Sequence, residues 1–359
     1  MTATFPPVVR HFMLKAGLDF KEPEAPFFTD SIRNYIKYGE ADDFDYDFII
    51  EKSQGKKALV ICNTVKSAQH VYGKLMEKLG DNNALHLLHS EFTRKDRRML
   101  EKAIMEAEEP CIWVTTQIVE ASLDIDFDIL FTDLAPVDRL VQRMGRCYRR
   151  REYSVGEPNV YIYNLMDAKH KGKNTIYDEF ILKRSAEALR KYGGILSEKD
   201  KAELVNSVYD AEALRESNRE SNFYKSVEDG ISELKNILSD IYSAEKAEKK
   251  FRNIQSVAVI PDNIYDANID DIDSLIDIIR NEESSLYEKK HAEEQLFDMT
   301  VSVNFMKYRK IIESPKVLNY GNSKMFYRIN GMDYDFDDCS LRGSGLIPKI
   351  TDSEDECFL

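Results

Sequence analysis

Arg146 and Arg149 are the residues of this chain best suited to do chemistry. They close the pattern Gln142-x-x-Gly145-Arg146-x-x-Arg149. Read as a helix, the pattern sets Gln142, Arg146 and Arg149 on one stripe, because residues three and four apart are neighbours there. Two guanidiniums on one face make a poor core and a good match for phosphate oxygens, which the planar fork grips in pairs. A solvated basic face is the blander reading, and it explains neither Gly145 nor the strand that comes before. That strand ends in Thr115-Thr116-Gln117 and leads to Leu123-Asp124-Ile125-Asp126. Arg139, Arg143, Arg146, Arg149, Arg150 and Arg151 form a basic island in an acidic chain.

The elements that must position these groups follow from hydrophobic pattern. Short apolar runs at 57–63, 84–88, 111–115, 129–133 and 160–163 read as strands. Between them lie helical patterns at Val65–Leu79, 93–107 and 137–147, the first with Thr64 as N-cap. A further strand is read at 31–38 and a short helix at 42–53. Such alternation implies an α/β fold, a mostly parallel sheet with helices on both faces. Ligands of these sheets lie beyond the carboxyl ends of the strands. The polar pairs Asn63-Thr64, His89-Ser90, Thr116-Gln117 and Asp133-Leu134 stand at those ends.

Composition bounds the reading. The 359 residues suffice for two or three domains, and 43% hydrophobic with 32% charged suits a globular chain. A net charge of −14 argues against a wholly nucleic-acid-binding surface but leaves room for a local basic groove. Five scattered cysteines without a CxxC pair suggest reduced thiols in a cytoplasm and no zinc site. No apolar run is long enough to span a bilayer.

The order Thr2-Ala3-Thr4, ICNTV, LLHSEFTRKDR, TTQIVEASLDIDFD and DLAPVDRLVQRMGRCYRR resembles the second half of a superfamily 2 helicase. More narrowly, it resembles the helicase-nuclease of type I CRISPR systems. The resemblance is good over residues 1 to about 165. It implies a second RecA-like domain, with ATP as cofactor (Mg-ATP held mainly by a first RecA-like half) and single-stranded DNA as the track. Thr2, Ala3 and Thr4 would couple ATP hydrolysis to domain movement. Asn63, Thr64, His89, Ser90, Thr116 and Gln117 would face the nucleic-acid backbone. Asp124 would approach the ribose or the arginines. Gln142, Gly145, Arg146 and Arg149 would meet the triphosphate, the arginines as fingers. Implied partners are an RNA-guided surveillance complex and an N-terminal half with an HD nuclease. Ser122 replaces the family's common glycine, and Glu91 stands where a basic residue is usual.

Other features are absent. The sequence has no GxxxxGK[ST] phosphate loop, no DEAD-like tetrad and no His-Asp dipeptide. These residues thus carry half an ATP site, and the expectation is a C-terminal part of the helicase that is inactive alone. Two rival readings are a different superfamily 2 helicase, disfavoured by the text around QxxGRxxR, and a non-catalytic module binding nucleic acid or the surveillance complex.

The expected organisation is a remnant of a first RecA-like domain and linker at 1–30, the second RecA-like domain at 31–165, a helical linker at 166–252 and a small α+β domain at 253–359. A helix containing Phe180, Ile181, Ala186, Leu189 and Tyr192 ends at Gly193-Gly194. A long helix is read from Ser207 to about Arg252, broken near Gly230, and an acidic one over 269–296. Strands are expected at 255–260, 298–305 and 324–329. Asp266-x-Asn268-x-Asp270 and Asp333-x-Asp335-x-Asp337 start like calcium loops but lack the glycine and terminal glutamate of one, so no metal is assigned. Tyr320, Phe326, Tyr327 and Tyr334 are read as packing residues rather than base-stacking platforms.

Overall fold

The structure is a computed structural model that describes residues 6–17, 31–80, 84–120, 123–154, 156–165, 176–217, 222–239, 256–304, 307–308, 317–320, 324–329 and 331–349. Of 236–239, 317–320 and 324–326 it describes the backbone alone. Thr2, Ala3, Thr4 and Ser122 lie outside the described residues. The chain divides into two compact units: Met1–Leu85 with Ala107–Asn253, and His86–Glu106 with Ile254–Leu359. The segment 86–106, read above within the α/β series, thus groups with the C-terminal residues.

In the first unit the sheet runs in the order β4 (Cys111–Thr115), β2 (Lys57–Ile61), β5 (Ile129–Asp133), β6 (Val160–Asn164), β1 (Ile32–Glu40) and β7 (Gly194–Ser197), while β3 (Leu85–Leu88), the strand expected at 84–88, straddles the division of the two units in sequence. All these pairings are parallel except β1 with β7. β2, β4 and β5 are almost wholly buried, so they read as continuous apolar runs rather than alternating ones. Register places Ile61 beside both Thr115 and Thr132, so the carboxyl ends of three strands finish level.

Helix α3 (Val65–Leu79) follows β2 and is capped as expected: the Thr64 side chain accepts from Ser67 N. It lays Ala68, Val71, Tyr72 and Leu75 into the core at helical spacing. Helix α2 (Tyr46–Ser53) is capped by Asp45 in the same way. Helix α5 (Val137–Met144) is shorter than the expected 137–147. Beyond it, the backbone of residues 146–148 pairs with Phe127: Phe127 N donates to Arg146 O, and Tyr148 N to Phe127 O. That bridge ends the helix, so Gln142 is helical while Arg146 and Arg149 lie in the turn after it. The single helical stripe expected of the three is corrected accordingly.

Helix α6 (Glu179–Tyr192) stops at Gly193, where an added Cβ would sit 2.8 Å from Leu189 O. The long helix expected from Ser207 is instead several. α7 (Glu198–Val208) ends before Asp210, whose carboxylate caps α8 (Ala211–Glu216), and α9 runs Phe223–Ser239 with Gly230 inside it. Short polar side chains accepting backbone N–H groups restart the chain as a new helix. The N-terminal helix α1 (Pro7–Lys15) packs on α8 and α9, burying Val8 and Phe12, the latter against Tyr224 at 4.7 Å.

The second unit contains α4 (Arg94–Glu106), β8 (Ser256–Pro261), α10 (Asp262–Ala267), α11 (Ile269–Arg280), α12 (Leu286–Asp298), β9 (Val301–Asn304), β10 (Val317–Tyr320), β11 (Lys324–Ile329), β12 (Met332–Asp337) and β13 (Arg342–Pro348). A sheet orders β10–β11–β8–β9, and β12 pairs with β13 as a hairpin. The single acidic helix expected over 269–296 is two, because Ser285 opens α12 with a reciprocal capping box to Glu288. Val259, Val301, Val303 and Ile329 form one core of this unit, and Ile260, Ile272, Ile276 and Leu296 another. Tyr327 and Tyr334 pack against the first, as expected for core-facing aromatics.

Candidate functional site

The site of the first unit is built where the strands end level. Cys62 N donates to Thr115 O, and Asn63 N to the Asp133 carboxylate. This draws the segments after β2, β4 and β5 together, so residues distant in sequence share one end of the sheet.

Arg143 stands at the centre of this cluster. Its side chain is 0% exposed. Nε donates to Glu120 Oε1 at 2.8 Å, Nη1 to Thr132 Oγ1 at 2.8 Å, and Nη2 to Asn63 Oδ1 at 3.0 Å and Tyr177 Oη at 3.3 Å. Its charge is neutralised chiefly by Glu120, itself 3% exposed and approached by Arg139 at 3.6 Å. The basic island is therefore not one open groove. Arg143 is internal, and Arg151 is held by Asp126 and Asp128. Sequence reasoning listed Arg143 only among surface cations and overlooked Glu120, Thr132 and Tyr177.

Arg146 is half-buried, with its fork on main-chain carbonyls: Nη1 donates to Leu123 O and Nη2 to Glu120 O, both at 2.5 Å. Burial lowers its pKa from the ordinary arginine value, and the neighbouring Arg149 adds to the effect. Arg149 is 40% exposed, 3.4 Å from Asp124. Asp124, exposed itself, also pairs with Arg150. Arg149 N donates to Asp126 Oδ1 at 2.9 Å. Glu120 and Leu123 thus fix Arg146 firmly, and Asp124 holds the Arg149 side chain loosely. Gln142 is half-buried one turn before, and Gly145 follows the helix with its backbone close-packed: a Cβ there would lie 3.3 Å from Gln142 O.

The four residues expected to face nucleic acid in this unit divide by exposure. Asn63 is 3% exposed, with Nδ2 donating to Leu134 O and Oδ1 accepting from Arg143. Thr116 is buried as well. Thr64 and Gln117 are half-exposed; Gln117 Nε2 donates to Asn63 O at 2.6 Å and to Tyr177 Oη at 3.3 Å. The arrangement is a buried polar floor of Asn63 and Thr116, a half-exposed rim of Thr64 and Gln117, and one loosely held guanidinium, Arg149.

His89 and Ser90 belong to the second unit. Ser90 is exposed, but His89 is 0% exposed and both ring nitrogens are taken, Nδ1 accepting from Glu91 N and Nε2 donating to Ser344 O. The expected backbone contact by His89 is corrected to an internal strut. Gly345 passes so close, at φ +70°, that a Cβ would sit 2.8 Å from the imidazole. Glu91, the departure from the family's basic residue, is held by Lys307 Nζ at 2.9 Å and Tyr308 Oη at 3.0 Å.

Burial pushes His89 down to about 3. Its folded pKa thus lies below the unfolded one of about 6.5, so the native state binds fewer protons and stability falls as pH drops below the unfolded value. Between pH 7 and pH 5 this removes about 2 kcal/mol. Denaturant unfolding at the two pH values is expected to show that loss in the wild type and a much smaller one in His89→Gln. Equal losses would show that other groups dominate.

The first unit is thus a mostly parallel sheet whose strand ends finish level beside the arginine-bearing turn after α5, the end at which such sheets bind their ligands. Residues 54–152 match the family model described as CRISPR-associated nuclease/helicase Cas3, C-terminal. The CRISPR-associated nuclease/helicase Cas3 of Methanothermobacter thermautotrophicus is 28% identical over 296 residues, 74% of this chain and 33% of that protein. The CRISPR-associated endonuclease/helicase Cas3 of Escherichia coli is 38% identical over 113 residues, 29% of this chain and 13% of that protein. In fold, the crystal structure of T. fusca Cas3-ATP is similar with a TM-score of 0.63 at 18% identity, over 91% of this chain and 43% of that one. These matches identify residues 54–152 with the C-terminal helicase region of Cas3 proteins, and Cas3 homologues align over much of the chain. The chain spans a third or less of the length of these curated relatives.

Proposed function

We propose that this chain supplies the arginine-bearing half of a composite ATP site in a translocase that moves along single-stranded DNA in CRISPR defence. The observation that carries the reading is the pair of differently held guanidiniums at the strand ends, Arg146 on carbonyls and Arg149 beside Asp124. Phosphoryl transfer spreads charge over the γ-phosphate, and an arginine delivered from a second domain stabilises it. Arg149 takes that role, and Arg146 keeps the main chain at Glu120 and Leu123 in place beside the phosphates. Because these residues include no phosphate loop, a first RecA-like half binds Mg-ATP. The ATP and AMPPNP named with the T. fusca Cas3 structures agree with such a ligand. Thr64 and Gln117 contact the DNA backbone, backed by Asn63 and Thr116. The enzyme's partners are that first half with its HD nuclease and an RNA-guided surveillance complex, as the surveillance-complex structure among the fold neighbours suggests.

The purified chain alone is expected to turn over little ATP. Adding a separately produced first RecA-like half should give turnover that single-stranded DNA stimulates. Helicase-like turnover by the chain alone would defeat the half-site reading. DNA binding without any turnover in the mixture would favour a non-catalytic binding module.

A further inference from the structure

The second unit holds a cavity of about 900 Å³ among α4, α10, α11, α12 and the end of β12. Its floor is apolar, with Ile264, Leu275, Met299 and Phe336 half-buried. Its carboxylates differ in availability. Asp96 accepts from Thr93 and Tyr334, and Asp298 pairs with Arg98. Asp271 and Asp338 are exposed and make no ion pair with a described residue. Lys95 is the one Lys or Arg in the lining.

The surroundings are acidic on balance: residues 256–304 hold twelve Asp and Glu against three Lys and Arg, and α4 on the opposite wall, with five Lys and Arg against three Asp and Glu, offsets only part of this. Such a field repels phosphate and attracts cations over several ångströms of approach. A nucleic-acid strand is therefore the wrong occupant. An apolar floor under an acidic rim complements a peptide that pairs an aliphatic anchor with Lys or Arg. The volume lies at the upper end of small-molecule pockets, room enough for a few side chains.

We propose that this groove docks a basic, amphipathic segment of a partner protein, with aliphatic side chains on Leu275 and Met299 and cationic ones on Asp271 and Asp338. The inference is independent of the nucleotide reading, because every residue in it belongs to the second unit.

The test measures fluorescence anisotropy of a labelled synthetic peptide alternating arginine and leucine, titrated with the full chain. Asp271→Lys and Asp338→Lys are each expected to weaken binding roughly tenfold, and a glutamate–leucine peptide should not bind. Asp277→Lys, the same charge change on α11 outside the groove, should leave affinity near wild type. Thermal melts of each variant check folding. Equal weakening by Asp277→Lys would mean general electrostatic attraction and overturn the groove. So would unchanged binding in the two groove variants, competition by single-stranded DNA at the same residues, or calcium binding there with no peptide affinity.

Discussion

Alanine at position 149 is expected to lower DNA-stimulated ATP turnover of the reconstituted halves by roughly 10³-fold or more, the range over which delivered arginines act. Stability should hardly change. Arg149 is 40% exposed and its pairing with Asp124 is a surface one, worth about 0–1 kcal/mol. Lysine should not rescue, because a point charge cannot span two phosphate oxygens as the guanidinium does. Arg146→Ala should differ in kind. It removes two charge-assisted bonds to the carbonyls of Glu120 and Leu123, each worth about 1.5–3 kcal/mol, so turnover and melting temperature should fall together. Steady-state turnover paired with thermal unfolding reads both. Full turnover in Arg149→Ala would remove it from the phosphate, and a stable Arg146→Ala would deny its part in fixing the main chain at Glu120 and Leu123.

What the sequence made legible is what local pattern encodes. The strands 111–115 and 129–133 and the helix 65–79 have the bounds read from apolar runs and from Thr64. With their order known, the strand ends had to bring Asn63, Thr116 and Asp133 close. The end of α5 was not legible, because Gly145 sits at φ −65° and gives no left-handed stop; the bridge to Phe127 ends the helix, and that partner is remote in sequence. The fate of His89 was hidden for the same reason, since the carbonyl that seals it belongs to Ser344. The break within 269–296 had a local signal, Ser285-x-x-Glu288, masked by the continuous acidic helical pattern on either side.

Arg143 is the extreme case of remote encoding, and its replacement should be the most damaging to the fold. Its partners run from Asn63 to Tyr177, and no periodicity links them. Arg143→Ala would leave the Glu120 carboxylate buried with only Arg139 nearby at 3.6 Å, and would strip donors from Thr132 and Asn63. Removing one partner of a buried pair costs about 3–5 kcal/mol, against a total of roughly 5–15 kcal/mol for a domain. Denaturant melts should therefore show a large fall in midpoint for the first unit. Arg143→Met combined with Glu120→Leu should recover part of the loss, because the uncompensated charge goes with the second change. Recovery should stay incomplete, since Asn63 Oδ1 and Thr132 Oγ1 remain without their donor. The double variant also separates structure from chemistry. If Arg143 only supports the floor beneath Asn63 and Gln117, turnover in the repaired chain should return in proportion to its stability. Turnover that stays absent in a stable double variant would mean that the buried guanidinium also positions the loop bearing Arg146 and Arg149, through the shared residue Glu120.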